Sequence, residues 1–207
     1  MIKKTLTSTI TLIILIMAWQ YFGQYINQLR LSNGQTGLEA FIPLPSTILN
    51  IFINDWNVIF TELSYTLGRA FGGFLIGTSL GLFLAVFLNF FPKLRHPLLP
   101  IFFAINAFPI MGFAPAIILI FGQGSTLAII FVSALICFFP TLINLDSAFI
   151  HSNKDLMDIF TILKASKWQK LVKIQIPLAI PNLFLAMRLS IPASIIGATI
   201  GEWLGTR

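Results

Sequence analysis

Four lysines, at 164, 167, 170 and 173, surround Trp168 in the run KASKWQKLVKIQIPLAIP. On a helix, this spacing gathers Lys167, Lys170 and Lys173 on one side and puts Ala165, Trp168, Val172 and Ile176 on the other. The chemistry on offer is recognition: cations on one face, an aromatic anchor on the opposite one. Catalysis has little to draw on. The 207 residues include two histidines and seven carboxylates, with no H-E-x-x-H and no paired acidic motif. These ionisable residues converge in no single apolar segment, which argues against an enzyme. There is no G-x-x-x-x-G-K-[ST] phosphate loop; GQGS at Gly122 to Ser125 lacks the lysine and reads as a tight turn. The one cysteine, Cys137, sits in an apolar run, where it excludes an intrachain disulfide and acts as a small buried hydrophobe.

Composition decides where such a segment sits. Hydrophobic residues make up 57% of the chain and charged residues 10%, against about 25% charged in a soluble domain. The apolar residues come in blocks long enough to cross a membrane, for which about 20 residues suffice. Five spans are expected, at roughly Thr5 to Phe22, Phe71 to Phe91, Leu98 to Phe121, Ser125 to Leu145 and Pro181 to Leu204. No small-x-small cleavage site follows the first, so it reads as a retained span and not a signal peptide. The stretch from Gly23 to Ala70 is more polar, although ILNIFINDWNVIF within it is apolar and aromatic enough to lie on a membrane surface.

The net charge of +6 does not indicate nucleic acid. The basic residues stand in short segments between apolar blocks, where anionic lipid and topology account for them. With the N-terminus inside, the inner segments hold Lys3, Lys4, Lys93, Arg95, Lys154, Lys164, Lys167, Lys170 and Lys173, nine in all. The outer ones hold Arg30, Arg69 and the terminal Arg207. The positive-inside rule therefore places the N-terminus in the cytoplasm.

Several residues within spans ask for a role. Gly73, Gly77 and Gly81 form one stripe of small residues, and Ala193, Gly197, Gly201 and Gly205 another. Either these admit close backbone approach, or glycine is simply common in membrane helices. Pro109 and Pro115 free carbonyls that a neighbour or a water-filled cavity must satisfy. With Asn106 nearby they mark either a polar pathway or a plain kink. Arg188 reads as snorkelling to the inner surface or as lining the path, and Glu202 as an end charge or a group facing a vestibule.

The inner loop from about Asp146 to Ile180 reads as two short amphipathic helices. In the first, Ser152 and Asp155 give a capping signal, and Leu156, Ile159, Phe160 and Leu163 follow helical spacing. In the second, Pro177 and Pro181 limit how far the helix runs. The pair could lie on lipid, pack on the spans, or dock in a partner's groove.

Several stretches resemble, in order, the inner-membrane permeases of binding-protein-dependent ABC transporters. ELSYTLGRAFGGFLIGTSLG resembles the start of that family's core, and NAFPIMGFAPAIILIFGQGS its double-proline span and turn. ASKWQ and IQIPLAIP resemble its coupling loop, and AMRLSIPASIIGATIGEWLG its next helix. The similarity covers about Glu62 to Thr206 and is nearest the nitrate, sulfonate and taurine branch. It implies an all-α polytopic inner-membrane protein of about five transmembrane helices. Residues 1–61 would form the N-terminal span and extracytoplasmic segment, and 62–207 the permease core. It implies half of a homodimeric solute path, a separate ATPase subunit that binds the ATP, an extracytoplasmic solute-binding protein, and no cofactor or metal of the chain's own. The implied coupling residues are Asp158, Phe160, Lys164, Ala165, Lys167 and Trp168, and the implied solute-path residues Asn106, Pro109 and Glu202. The solute would be a small organic anion or related compound.

Two departures stand out. Asp158, Ile159 and Phe160 replace the family's Glu-Ala-Ala. Lys164 replaces its glycine, and lysine makes such a bend only at a cost of about 1 kcal/mol or more, so either the bend is made differently or docking is impaired. The family also continues past Gly-Glu-Trp-Leu-Gly-Thr into one more span. On that resemblance a chain ending at Arg207 is expected to be a truncated permease, and to insert but transport poorly.

Overall fold

A computed structural model describes residues 2–33 and 42–205, excepting the side chains of residues 2–6. The expectations for the Lys3 and Lys4 side chains and for Arg207 lie outside the described residues. All regular structure among the described residues is helical. Four helices are long and apolar enough to cross a membrane, and a bent pair supplies a fifth crossing if counted as one span.

The chain divides into two units, Met1–Glu62 and Leu63–Arg207. In the first, α1 (Ile2–Ser32) extends ten residues past the expected end at Phe22. Polar side chains beyond that point have partners. Asn27 pairs with the backbone of Ile42, donating through Nδ2 (3.0 Å) and accepting from its N–H (2.8 Å). Gln20 donates through Nε2 to the Ser46 hydroxyl (3.0 Å) and accepts from the Ser46 N–H (3.1 Å) at the start of α2 (Pro45–Asn54). Gly23 gives Leu44 room to lie against α1, where a Cβ would come within 2.6 Å of the leucine.

In the second unit the central helix is α6 (Thr126–Ile150). Against it, running parallel, lies α3 (Trp56–Phe90), which begins in the first unit. Antiparallel to it lies α8 (Lys167–Gly205). Gly73, Gly77 and Gly81 of the first small-residue stripe and Gly197 and Gly201 of the second point at α6. A Cβ on Gly77 would strike the carbonyl oxygen of Ala134, and one on Gly81 would lie 2.7 Å from the carbonyl oxygen of Phe138. From the other side, Cβ atoms on Gly197 and Gly201 would lie 2.8 Å and 3.1 Å from the Cα atoms of Ser133 and Ile129. The glycines therefore serve close approach. Hydroxyls lace the same seam: Ser133 donates to the Ser194 carbonyl (2.9 Å) and Ser190 to the Cys137 carbonyl (3.3 Å). Cys137 is buried, as its setting suggested, and its thiol donates to the carbonyl of Ser190.

Three expected elements differ. The second span starts at Trp56, not Phe71. At 35 residues it is about 50 Å long, well over the roughly 30 Å hydrocarbon core. Arg69, taken for a loop residue, lies within this helix because Glu202 pairs with it. The third span is not one rod. It comprises α4 (Pro92–Ala107) and α5 (Ile110–Phe121), which meet at 94° around Phe108 and Pro109. Pro109 has no N–H to carry a helical ladder across this point. The fifth span starts at Lys167, not Pro181. Pro177 and Pro181 do not end it, because the turn Leu171–Gln175 widens to a π-helix in which the Ile176 N–H reaches the Leu171 carbonyl. That shift rearranges the ladder just before Pro177.

Candidate coupling surface and solute path

The helix α7 (Lys154–Ile162) follows α6 closely. Its cap is Asn153, whose side chain accepts from the Leu156 N–H at 3.1 Å. Ser152, the expected cap, instead turns its hydroxyl back to the carbonyls of Ala148 and Phe149 at the end of α6. The end of α7 is a left-handed cap. The Ala165 N–H bonds to the Phe160 carbonyl (2.9 Å) and the Lys164 N–H to the Thr161 carbonyl (3.0 Å). Lys164 has φ +54°, the single positive φ among described non-glycine residues. Helices commonly end this way with glycine at that place. Lysine adopts the same bend at a cost of about 1 kcal/mol.

Ser166 then starts α8 with a reciprocal cap: its hydroxyl accepts from the Gln169 N–H, and the Gln169 side chain accepts from the Ser166 N–H. The S-x-x-Q spacing was legible in the sequence as a capping box. Trp168 stacks on Phe90 at the end of α3, with ring centroids 6.1 Å apart. Lys167 Nζ donates to the Phe90 carbonyl (3.4 Å) and Lys170 Nζ to the Thr161 hydroxyl (2.7 Å).

Spacing left open which way the apolar faces of these helices turn. Trp168, Val172 and Ile176 are exposed, and α8 buries Leu171, Ile174, Gln175 and Ala179 instead. Two apolar stripes run along this helix, and spacing alone does not say which meets α6. On α7 no side chain is buried. Phe160 is half-buried while Asp158 is exposed. At its end Ile162 is 80% and Leu163 70% exposed. The six coupling-loop residues fall on the last part of α7, the turn after it and the start of α8, and the most exposed large apolar side chains there are Ile162 and Leu163, which were not among them.

The three solute-path residues are not brought together. Asn106 and Pro109 flank the 94° bend and are exposed. Glu202 lies at the other end of α5, near the turn where the Gly124 N–H bonds to the Gly205 carbonyl. Gly122 and Gly124 both have positive φ in that turn. The twelve residues of α5 separate the two places by about 18 Å. Glu202 accepts from Arg69 at 2.7 Å and from the Thr66 hydroxyl at 2.8 Å. It pins α8 to α3.

The second unit is thus a bundle of membrane-length helices with an exposed helical turn and a broken span. Residues 77–207 match the family described as binding-protein-dependent transport system inner membrane component, and the chain belongs to it. It is 33% identical to the riboflavin transport system permease protein RibX of Chloroflexus aurantiacus, over 96% of this chain and 71% of that protein. It is 26% identical to the formylaminopyrimidine transport permease protein ThiX of Halalkalibacterium halodurans, over 98% and 77% respectively. The putative aliphatic sulfonates transport permease protein SsuC of Bacillus subtilis is 29% identical over 80% of this chain and 60% of its own length.

Proposed function

We propose that the protein is the permease subunit of an ABC importer, with the α7–α8 turn as the docking surface for a separate ATPase. One observation carries this reading. The position where such permeases have glycine adopts a left-handed backbone here, although lysine occupies it. The turn is kept at a cost, and it presents Ile162 and Leu163 outward. The chain supplies half of the path, with a second copy supplying the rest, and an extracytoplasmic binding protein delivers the solute. ATP belongs to the partner. The solute is a small organic compound. The relatives are named for riboflavin, formylaminopyrimidine and aliphatic sulfonates, which widens the class beyond anions of the sulfonate type.

In this reading the protein crosses the inner membrane several times with its N-terminus and the α7–α8 turn in the cytoplasm, and the Gly122–Ser125 turn outside. The ties from Lys167, Trp168 and Arg95 support one part of this, since they gather the lysine-rich turn, the end of α3 and the start of α4 at the same end of the second unit. Single cysteines at Lys167 and Gln123 in a Cys137→Ala background test it with an impermeant thiol reagent on intact cells. Position 123 is expected to label and position 167 to label only after lysis. The reverse pattern would overturn the orientation and the docking role with it.

A further inference from the structure

Of the helices that make up the spans of the second unit, α4 is held with the least apolar burial. None of its side chains is buried, and Pro97 and Pro100 interrupt its ladder. Its apolar hold on the core consists of partly buried Leu98, Leu99 and Phe102. Phe102 and Phe103 add edge contacts to Phe138 and Phe139 of α6, at 5.5 Å and 5.2 Å. These contacts tolerate sliding, because each ring has further apolar surface beside it. One contact does not. Arg95 grips Asp146 of α6 through Nε at 2.9 Å and 3.2 Å and through Nη2 at 2.9 Å. The Asp146 side chain is 7% exposed. A forked pair of this kind has one good geometry, and displacement leaves a charge unpaired where little water can reach it.

Asp146 stands one turn before the end of α6, just ahead of α7. The other polar ties of α6 at this end are neutral: Gln175 donates to the Phe149 carbonyl and exchanges amide hydrogen bonds with Asn89. They join α6 to α3 and α8. Beside the apolar contacts of Phe102 and Phe103, the ion pair is the side-chain polar tie between α6 and α4 among the described residues, and α4 leads into the bend at Phe108 and Pro109.

We propose that Arg95 and Asp146 are positioning residues that carry movement of the α7–α8 turn into the bent α4–α5 span, so that nucleotide-driven motion reaches the solute path through this pair. The inference rests on the turn being the ATPase dock. Spin labels at Lys154→Cys and Met111→Cys, in the Cys137→Ala background, report the separation of α7 from α5 by pulsed EPR. The reconstituted complex with the ATPase is measured without nucleotide and after trapping with ATP and vanadate. The parent complex is expected to change distance on trapping. Asp146→Asn and Arg95→Gln are each expected to shrink the population that shifts by about threefold or more, and the double variant by no more than either single one. Gln175→Leu cuts the neutral tie and is expected to lower thermal stability while leaving the shift intact. An unchanged shift in Asp146→Asn would refute the proposal, as would an equal loss in Gln175→Leu, which marks a general structural role. Co-purification of the parent chain with the ATPase is scored first. Its failure sinks the docking reading and this inference together, whereas a complex that forms but transmits without the pair sinks this inference alone.

Discussion

Replacing Ile162 and Leu163 together by aspartate is expected to weaken binding of the ATPase by about three orders of magnitude, from two anchors of about 2 kcal/mol each. Both side chains project from the end of α7 with most of their surface uncovered, so neither supports the fold of the chain itself. Two aspartates there put carboxylates where a partner's groove expects hydrocarbon, and desolvating them opposes association. Melting of the variant in detergent should match the parent. Lys170→Ala is the contrasting change. It removes an exposed hydrogen bond to Thr161 and is expected to alter binding by no more than about fivefold. Affinity measured on immobilised ATPase separates the two. A loss confined to the lysine variant would indicate that the turn meets anionic lipid or an acidic surface.

Gly77→Leu is expected to cost about 3 kcal/mol or more. A Cβ at this position meets the Ala134 carbonyl and lies 2.8 Å from the Cys137 Cβ. Backbone on the far side cannot rotate away, so α3 must separate from α6 along its length. In a domain of this size that corresponds to a fall of roughly 10 °C in Tm. The chain carries its own reporter. Cys137 is its one cysteine and is fully buried, so a thiol-reactive fluorophore lights up as the seam opens on heating. Gly68 on the same helix has nothing within 4 Å of its Cβ position. Gly68→Leu should leave the melt unchanged or raise it. Equal behaviour of the two variants would show that the α3–α6 contact does not hold the unit together.

The sequence disclosed the spans and the small stripes because both depend on residue type alone: hydrocarbon length for the first, absent side chains for the second. The family's glycine pointed to position 164, where lysine was expected to force a different bend or impair docking; the backbone instead keeps the left-handed bend. What it concealed depends on partners distant in the chain. Arg69 looks like a loop residue until Glu202, 133 residues away, is seen to neutralise it. The residues after Phe22 look like the start of a polar stretch until the Asn27 amide is seen to clasp Ile42. The inward face of α8 was illegible for a different reason. Leu171 with Ile174 and Trp168 with Val172 are equally apolar, and where lipid and protein both accept hydrocarbon the period does not tell inside from outside. The 94° break was only half legible. Pro109 marks where a helix ends, but no residue type states the angle at which the next one leaves.

The claim that the α7–α8 turn docks an ATPase is tested most directly by a photo-crosslinking amino acid at position 162, with position 120 on the exposed face of α5 as its counterpart. Irradiation of membranes holding the assembled transporter is expected to join position 162 to the ATPase, and to leave position 120 joined to lipid or to another copy of the permease. Adducts to the ATPase from position 120 with none from position 162 would contradict the account.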